Sequence, residues 1–286
     1  MRIVSVLFSA LLLMSSSLWA TDALPTLQQI EESGKIRIGY RQTLPPMSFH
    51  DDQGAPAGYS IDLCNRIVTL VKTTLDKSDI EVEHVPVNAE NRFSALTENE
   101  IDILCGATTK TLSRSQLVDF TQLTFVTGAG FLSLKQAPIN TIPGLQGKKI
   151  AVVANTTTEE ALESVLKQTL TDTEVVTVES AAQGMELLNA GEVAAYTADQ
   201  IVLIGMLITA DQPNRFHVSG NLYSFEPLAL AVRRNDADFR LIADRVLSQL
   251  YRSGGIVPIY RKWFGEISDN VPSAISAAYE INATPE

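Results

Sequence analysis

Twice in this chain an apolar run with the character of a buried strand ends directly in a loop rich in hydroxyl groups. The first, Ile101-Asp102-Ile103-Leu104, leads into Cys105-Gly106-Ala107-Thr108-Thr109-Lys110-Thr111-Leu112-Ser113-Arg114. The second, Lys149-Ile150-Ala151-Val152-Val153, leads into Asn155-Thr156-Thr157-Thr158-Glu159-Glu160. Upstream of the first, an alternating stretch at 35–40, a helical face carrying Ile61, Cys64, Ile67, Val68 and Val71, a strand at 80–87 and a helix at 93–99 complete a β-α-β-α-β order. After the second come a strand at 175–178, a helix at 181–189 and a strand at 193–196 that delivers Asp199. Such an order builds a parallel sheet with right-handed crossovers, and the loops at the carboxyl ends of its strands gather in one crevice. The chain therefore reads as an α/β protein with two similar passages, each offering a hydroxyl loop.

In the first passage Leu112, Leu117 and Val118 predict a helix opening near Thr111 or Ser113, with Arg114 in its first turn. A cation is unfavourable at that end of a helix unless something balances it, whereas a guanidinium grips a carboxylate through two parallel hydrogen bonds. Thr108, Thr109 and Arg114 thus read as a clamp for a small carboxylate; the alternative is an exposed Arg on an ordinary helix start. In the second passage Glu159 and Glu160 suit the positive end of the helix that opens there.

Arg2, an apolar run over 3–14 and small residues up to Ala20 have the pattern of a secretory signal peptide over 1–20, too short in its apolar part to span a bilayer. The remainder of the chain is long enough for two lobes of ordinary domain size. A net charge of −11 argues against nucleic acid and anionic membrane as partners. The two cysteines, Cys64 and Cys105, are too few for a metal cluster, and no His lies at ligand spacing from either. Export into an oxidising space allows one disulfide between them, with two buried thiols as the alternative. No cofactor or metal is expected, and the tail over 269–286 is expected to be loosely held.

Several stretches in this order resemble the periplasmic solute-binding proteins of amino-acid ABC transporters, and within them the glutamate/aspartate branch. They are Gly39-Tyr40-Arg41, Gly58-Tyr59-Ser60-Ile61-Asp62-Leu63, Asn91-Arg92, Cys105 to Thr109 with Arg114, and the segment from Gly255 to Trp263. The resemblance, over roughly residues 24–266, implies a two-lobed fold of type II. Each lobe would be a mostly parallel sheet flanked by helices, and two crossing strands would join them. It divides the chain into one lobe of 24–127 plus 227–268 and another of 128–226. It implies a monomer in the periplasm that hands an amino acid to an inner-membrane ABC permease. By the same resemblance Arg114 holds the ligand α-carboxylate with help from the Thr109 hydroxyl, and Asp199 takes the α-ammonium. Arg41 and Arg92 approach the side-chain carboxylate, and Thr156 lies on the second lobe's contact loop. Arg41 and Arg92 could instead form structural ion pairs with neighbours such as Asp51 or Glu90.

Departures from the branch fall at Ala89 and Ala107, where it has Ser, and at Gln183, where it has His. These remove hydroxyl and imidazole donors from the implied pocket. Two other functions use or serve the same fold. One is a cyclohexadienyl or arogenate dehydratase, for which Glu226 near the expected hinge is the position to watch. The other is a ligand-sensing subunit for a separate receptor. Neither His50, His84 nor His217 falls in a catalytic pairing that the sequence exposes, and motifs such as G-x-S-x-G and H-E-x-x-H are missing from the sequence.

Overall fold

The computed structural model describes residues 25–268 and 270–286, so the expected signal peptide over 1–20 lies outside the described residues. The chain begins with α1 (Thr26–Ser33) and β1 (Lys35–Tyr40), then a small three-stranded meander of β2 (Thr43–Leu44), β3 (Ser48–His50) and β4 (Pro56–Ala57). It continues through α2 (Tyr59–Thr74), β5 (Glu81–Pro86), α3 (Arg92–Thr97), β6 (Ile103–Cys105), β7 (Val118–Thr127) and β8 (Ala129–Leu134). Next come β9 (Lys148–Val153), α4 (Thr157–Thr169), β10 (Thr173–Val178), α5 (Ala181–Ala190), β11 (Ala195–Asp199), α6 (Gln200–Ile208) and β12 (Phe216–Val218). The chain closes with β13 (Glu226–Arg233), α7 (Ala237–Ser253), α8 (Ile256–Phe264) and α9 (Ser273–Ile281).

Two five-stranded sheets carry the two lobes, in the orders β5-β1-β6-β13-β7 and β10-β9-β11-β8-β12. In each sheet three strands pair in parallel and one, β13 or β8, runs against its neighbours. This is the mostly parallel α/β arrangement that the alternation of strands and helices dictates. The apolar face of α2 lies buried as its spacing predicts, with Cys64 and Ile67 wholly enclosed. Burial of each such aliphatic side chain favours the folded state by roughly 1.5–3 kcal/mol.

The chain passes from the first sheet to the second between Thr127 and Ala129 and returns into β13 at Glu226, which pairs with Thr127. The two connections run side by side: the Ala129 N–H donates to Ser224 Oγ at 3.0 Å and the Tyr223 N–H donates to the Ala129 carbonyl at 3.0 Å. Only a glycine fits between them, since a Cβ on Gly128 would stand 2.3 Å from the Ser224 carbonyl oxygen.

Cys64 and Cys105 form a disulfide that ties α2 to the end of β6, directly before the hydroxyl loop. Two other expectations need correction. The segment after Thr111 is not a helix: a single 3-10 turn, Arg114–Gln116, runs into β7. Leu112 is 91% and Leu117 53% exposed, so the apolar spacing that predicts a helix faces no core. The tail is not loose either, because α9 buries Ile275 and Tyr279, and the Tyr279 and Tyr59 hydroxyls share a hydrogen bond at 2.8 Å.

Candidate functional site

A cavity of about 60 Å³ lies between the lobes at the carboxyl ends of β1, β6, β9 and β11. Of the residues singled out in the sequence, Arg41, Arg92, Thr109, Arg114, Thr156 and Asp199 all line it. Thr108 does not: it is buried in the wall, and its carbonyl accepts from the Ala229 N–H at 3.0 Å. That bond and Lys110 N–H to the Pro227 carbonyl at 2.8 Å pin the loop to β13. Among the described residues the Thr109 N–H has no hydrogen-bond partner, while its carbonyl accepts from Arg114 Nη1 at 3.0 Å. In place of a helix with further N–H groups there is only the short turn described above, so the clamp is a pinned loop with an Arg folded back onto it.

Two guanidiniums enter from β1 and α3. Arg41 follows β1 directly, and its backbone N–H donates to Ser48 Oγ at 2.9 Å. Arg92 opens α3, donates through Nη2 to the Asn155 carbonyl at 2.9 Å, and leaves its buried Nε without a partner. The Phe93 ring receives both Arg92 and Arg114, whose guanidinium carbons lie 4.8 and 5.4 Å from its centroid. Burial lowers Arg41 to about 10, a little offset by Tyr196. Burial lowers Arg92 to about 9, with repulsion from Arg114 and Arg41 adding to it. Arg114 is also lowered by burial, against the pull of Glu160, Glu226 and Asp199. All three remain cationic at neutral pH.

Among the described residues none of these three comes within 4.0 Å of a carboxylate, so Arg41 and Arg92 are not paired with Asp51 or Glu90. The contrast with the rest of the first lobe is informative, because Arg37 and Arg233 each pair with the buried carboxylate of Asp102, at 2.8 and 3.0 Å. Buried cations left unpaired and gathered at one cavity are unfavourable unless an anion joins them.

Asp199 stands opposite. It occupies the position that caps α6, yet its carboxylate caps nothing and no side-chain hydrogen bond to it exists among the described residues. Burial raises it to about 7, helped by Glu226 and opposed by Arg114. A capping-type residue withheld from its helix is free for a cation in the cavity.

The second lobe's contact loop is built by a local signal. Thr156 caps α4 by accepting the Glu159 N–H at 3.2 Å, and Glu159 reaches back to the Asn155 N–H at 2.8 Å. This presents Thr157 to the cavity, where its hydroxyl reaches Glu226 Oε2 at 2.8 Å and lies 3.2 Å from that of Thr109. Glu226 also accepts from the Thr109 hydroxyl at 2.6 Å and from Ser224 at 2.6 Å. The Thr109 hydroxyl hydrogen, expected to assist a ligand carboxylate, is therefore directed to Glu226.

Sequence reasoning missed Tyr196, which lines the cavity fully buried, and the participation of Thr157. The signal for Tyr196 lay in Gly184, where a Cβ would meet the Tyr196 ring at 2.4 Å. Ala107 lines the cavity, as the resemblance implies, and Ala89 lines a neighbouring cleft of about 140 Å³. Gln183 lies at neither; it is exposed and accepts the Glu179 N–H at 2.9 Å in the first turn of α5.

Residues 36–266 match the bacterial extracellular solute-binding proteins, family 3. The chain is 31% identical over 268 residues to the L-glutamate/L-aspartate-binding protein of Pseudomonas aeruginosa, covering 92% of this chain and 89% of that protein. Over 239 residues it is 31% identical to the glutamate/aspartate import solute-binding protein of Salmonella typhimurium, covering 84% and 79%. Its structure is similar to an ancestral arginine-binding protein bound to arginine, with a TM-score of 0.72, 27% identity and coverage of 81% and 98%. These relatives are solute-binding proteins rather than enzymes. With a two-lobed fold, a cavity between the lobes and most of its length matched, the chain belongs to the bacterial extracellular solute-binding proteins, family 3.

Proposed function

We propose that this protein is a periplasmic, monomeric binding protein that captures an acidic amino acid, glutamate or aspartate, and delivers it to an inner-membrane ABC permease. The observation that carries the reading is the set of three guanidiniums without carboxylate partners facing the unengaged carboxylate of Asp199 across one cavity. A zwitterion with a second carboxylate fits it by charge. Three Arg set against Asp199 and Glu226 leave one positive charge over, and an acidic amino acid supplies one negative charge. A neutral or basic ligand would leave a buried excess of positive charge.

In this reading Arg114 and the Thr109 N–H hold the α-carboxylate, Asp199 takes the α-ammonium, and Arg41 and Arg92 take the side-chain carboxylate. Thr156 orders the second lobe's loop. The moving bodies are 24–127 with 227–268 and 128–226, and the signal peptide over 1–20 is removed on export. The relatives named for glutamate and aspartate support the substrate class.

The test is calorimetric titration of ligand-free protein with the twenty amino acids. Saturable binding of L-glutamate or L-aspartate, with no product formed from prephenate or arogenate, is expected. Exclusive binding of a basic or neutral amino acid would overturn the substrate assignment.

A further inference from the structure

Glu226 lies outside the cavity, 2% exposed, and receives hydroxyl hydrogen bonds from three segments: Thr109 of the first lobe, Thr157 of the second and Ser224 of the connection leading into β13. A carboxylate only accepts, and each hydroxyl has a single hydrogen to give. The Thr109 hydrogen is therefore turned toward Glu226, and that of Thr157 toward Glu226 at 2.8 Å or the Thr109 oxygen at 3.2 Å, so the two hydroxyls face the cavity that they line with lone pairs rather than hydrogens. Together with the Asp199 carboxylate they supply the acceptors of a lining whose donors are Arg41, Arg92 and Arg114.

We infer that Glu226 is a positioning residue that sets the preference for a ligand ammonium group, acting by fixing the Thr109 and Thr157 hydroxyls as acceptors. It touches no ligand itself. The inference deepens the reading of the site as an amino-acid cleft and rests on it. A glutamine at 226 keeps the shape but brings an NH₂ group that donates, so at least one of the two hydroxyls turns its hydrogen into the cavity. That hydrogen opposes an ammonium and does not oppose a ligand that lacks one.

The experiment compares L-glutamate with glutarate, which keeps both carboxylates and has no ammonium, by calorimetry on the full chain as wild type, Glu226→Gln and Thr157→Val. Thermal unfolding of each variant reports whether it is folded. The wild type is expected to prefer glutamate, and Glu226→Gln to reduce the glutamate-to-glutarate affinity ratio by about tenfold or more, the range for a hydrogen bond to a charged group. Thr157→Val, which deletes one acceptor and leaves Glu226 in place, reduces the same ratio by a smaller factor and supplies the answer should Glu226→Gln fail to fold. A purely structural role would weaken both ligands alike. An unchanged ratio in the folded variants, with glutamate still bound by the wild type, would overturn the role of Glu226 alone. Failure of the wild type to bind either ligand would overturn the acidic-amino-acid reading together with it.

Discussion

The Arg92 side chain of the first lobe donates to the backbone carbonyl of Asn155 in the second, at 2.9 Å. Asn155 adopts a left-handed backbone conformation, φ 61°, which asparagine tolerates better than most residues. One guanidinium thus belongs to the ligand cavity and also spans the cleft. Arg92→Ala is expected to weaken acidic amino acid binding by about 30-fold or more, since truncating one side of a desolvated charge pair costs roughly 2–5 kcal/mol. Arg92→Lys keeps the charge without the planar fork and should fall between wild type and Ala. Calorimetry measures both, and an unaffected affinity in Arg92→Ala would remove this residue from the site.

Asp199 makes binding depend on pH. Its pKa is raised from 3.8 to about 7 in the ligand-free cavity. An ammonium ligand favours the ionised form, so affinity should be highest above pH 7 and fall as Asp199 protonates below it. Binding at pH 6 should release protons, which titration in buffers of different ionisation enthalpy detects. Stability of the ligand-free protein runs the other way. A raised carboxylate pKa contributes stability that is full below about 3.8 and is lost as pH rises through about 7. Asp199→Asn should flatten that loss in denaturant titrations across pH 4–8.

The disulfide ends one residue before the pinned loop begins, because Cys105 is followed directly by Gly106. Replacing Cys64 and Cys105 by Ala together is expected to destabilise the protein by about 4 kcal/mol on the chain-entropy account of a loop this long. Urea midpoints measure this. Reduction of the wild type should produce a similar shift.

How much of this is legible in the sequence differs from element to element. The strands β1, β6 and β9 announce themselves by apolar runs that end at Arg41, at Cys105 and before Asn155, and they bring the cleft residues with them. Asp199 is legible as the end of a strand. The helix predicted after Thr111 does not form, because Leu112 and Leu117 have helical spacing although neither is buried. Periodicity reports a face and says nothing of whether another element covers it. The sequence marks Glu226 only as a place to watch. Its role depends on three hydroxyls drawn from positions as far as 117 residues away, a meeting that no local pattern encodes. Gln183 shows the reverse limit: resemblance to a relative's pocket places it at the ligand, and here its side chain takes part in a helix start.

The C-terminal helix is a further case, and it can be tested. Tyr279 stacks on Tyr251 with centroids 4.8 Å apart and shares a hydrogen bond with fully buried Tyr59. Tyr279→Ala should destabilise the protein by roughly 3–5 kcal/mol, as aromatic truncations in a core do. Tyr279→Phe, losing only the hydroxyl, should cost about 1 kcal/mol. Thermal or urea unfolding distinguishes the two. A variant as stable as wild type in both cases would return the tail to the status of an appendage.

Gly205 on α6 sits where a Cβ would stand 2.2 Å from the Pro45 carbonyl oxygen, across the cleft on the first lobe. In the proposed hinged motion these two meet when the lobes shut, so a methyl group at 205 is expected to act as a doorstop rather than as a change of taste. It would weaken glutamate, aspartate and any weaker competitor by one common factor, because the closed population falls while the cavity chemistry stays as it was. The threshold concentration at which the protein responds and the choice of what it responds to are thereby set at separate places in the chain.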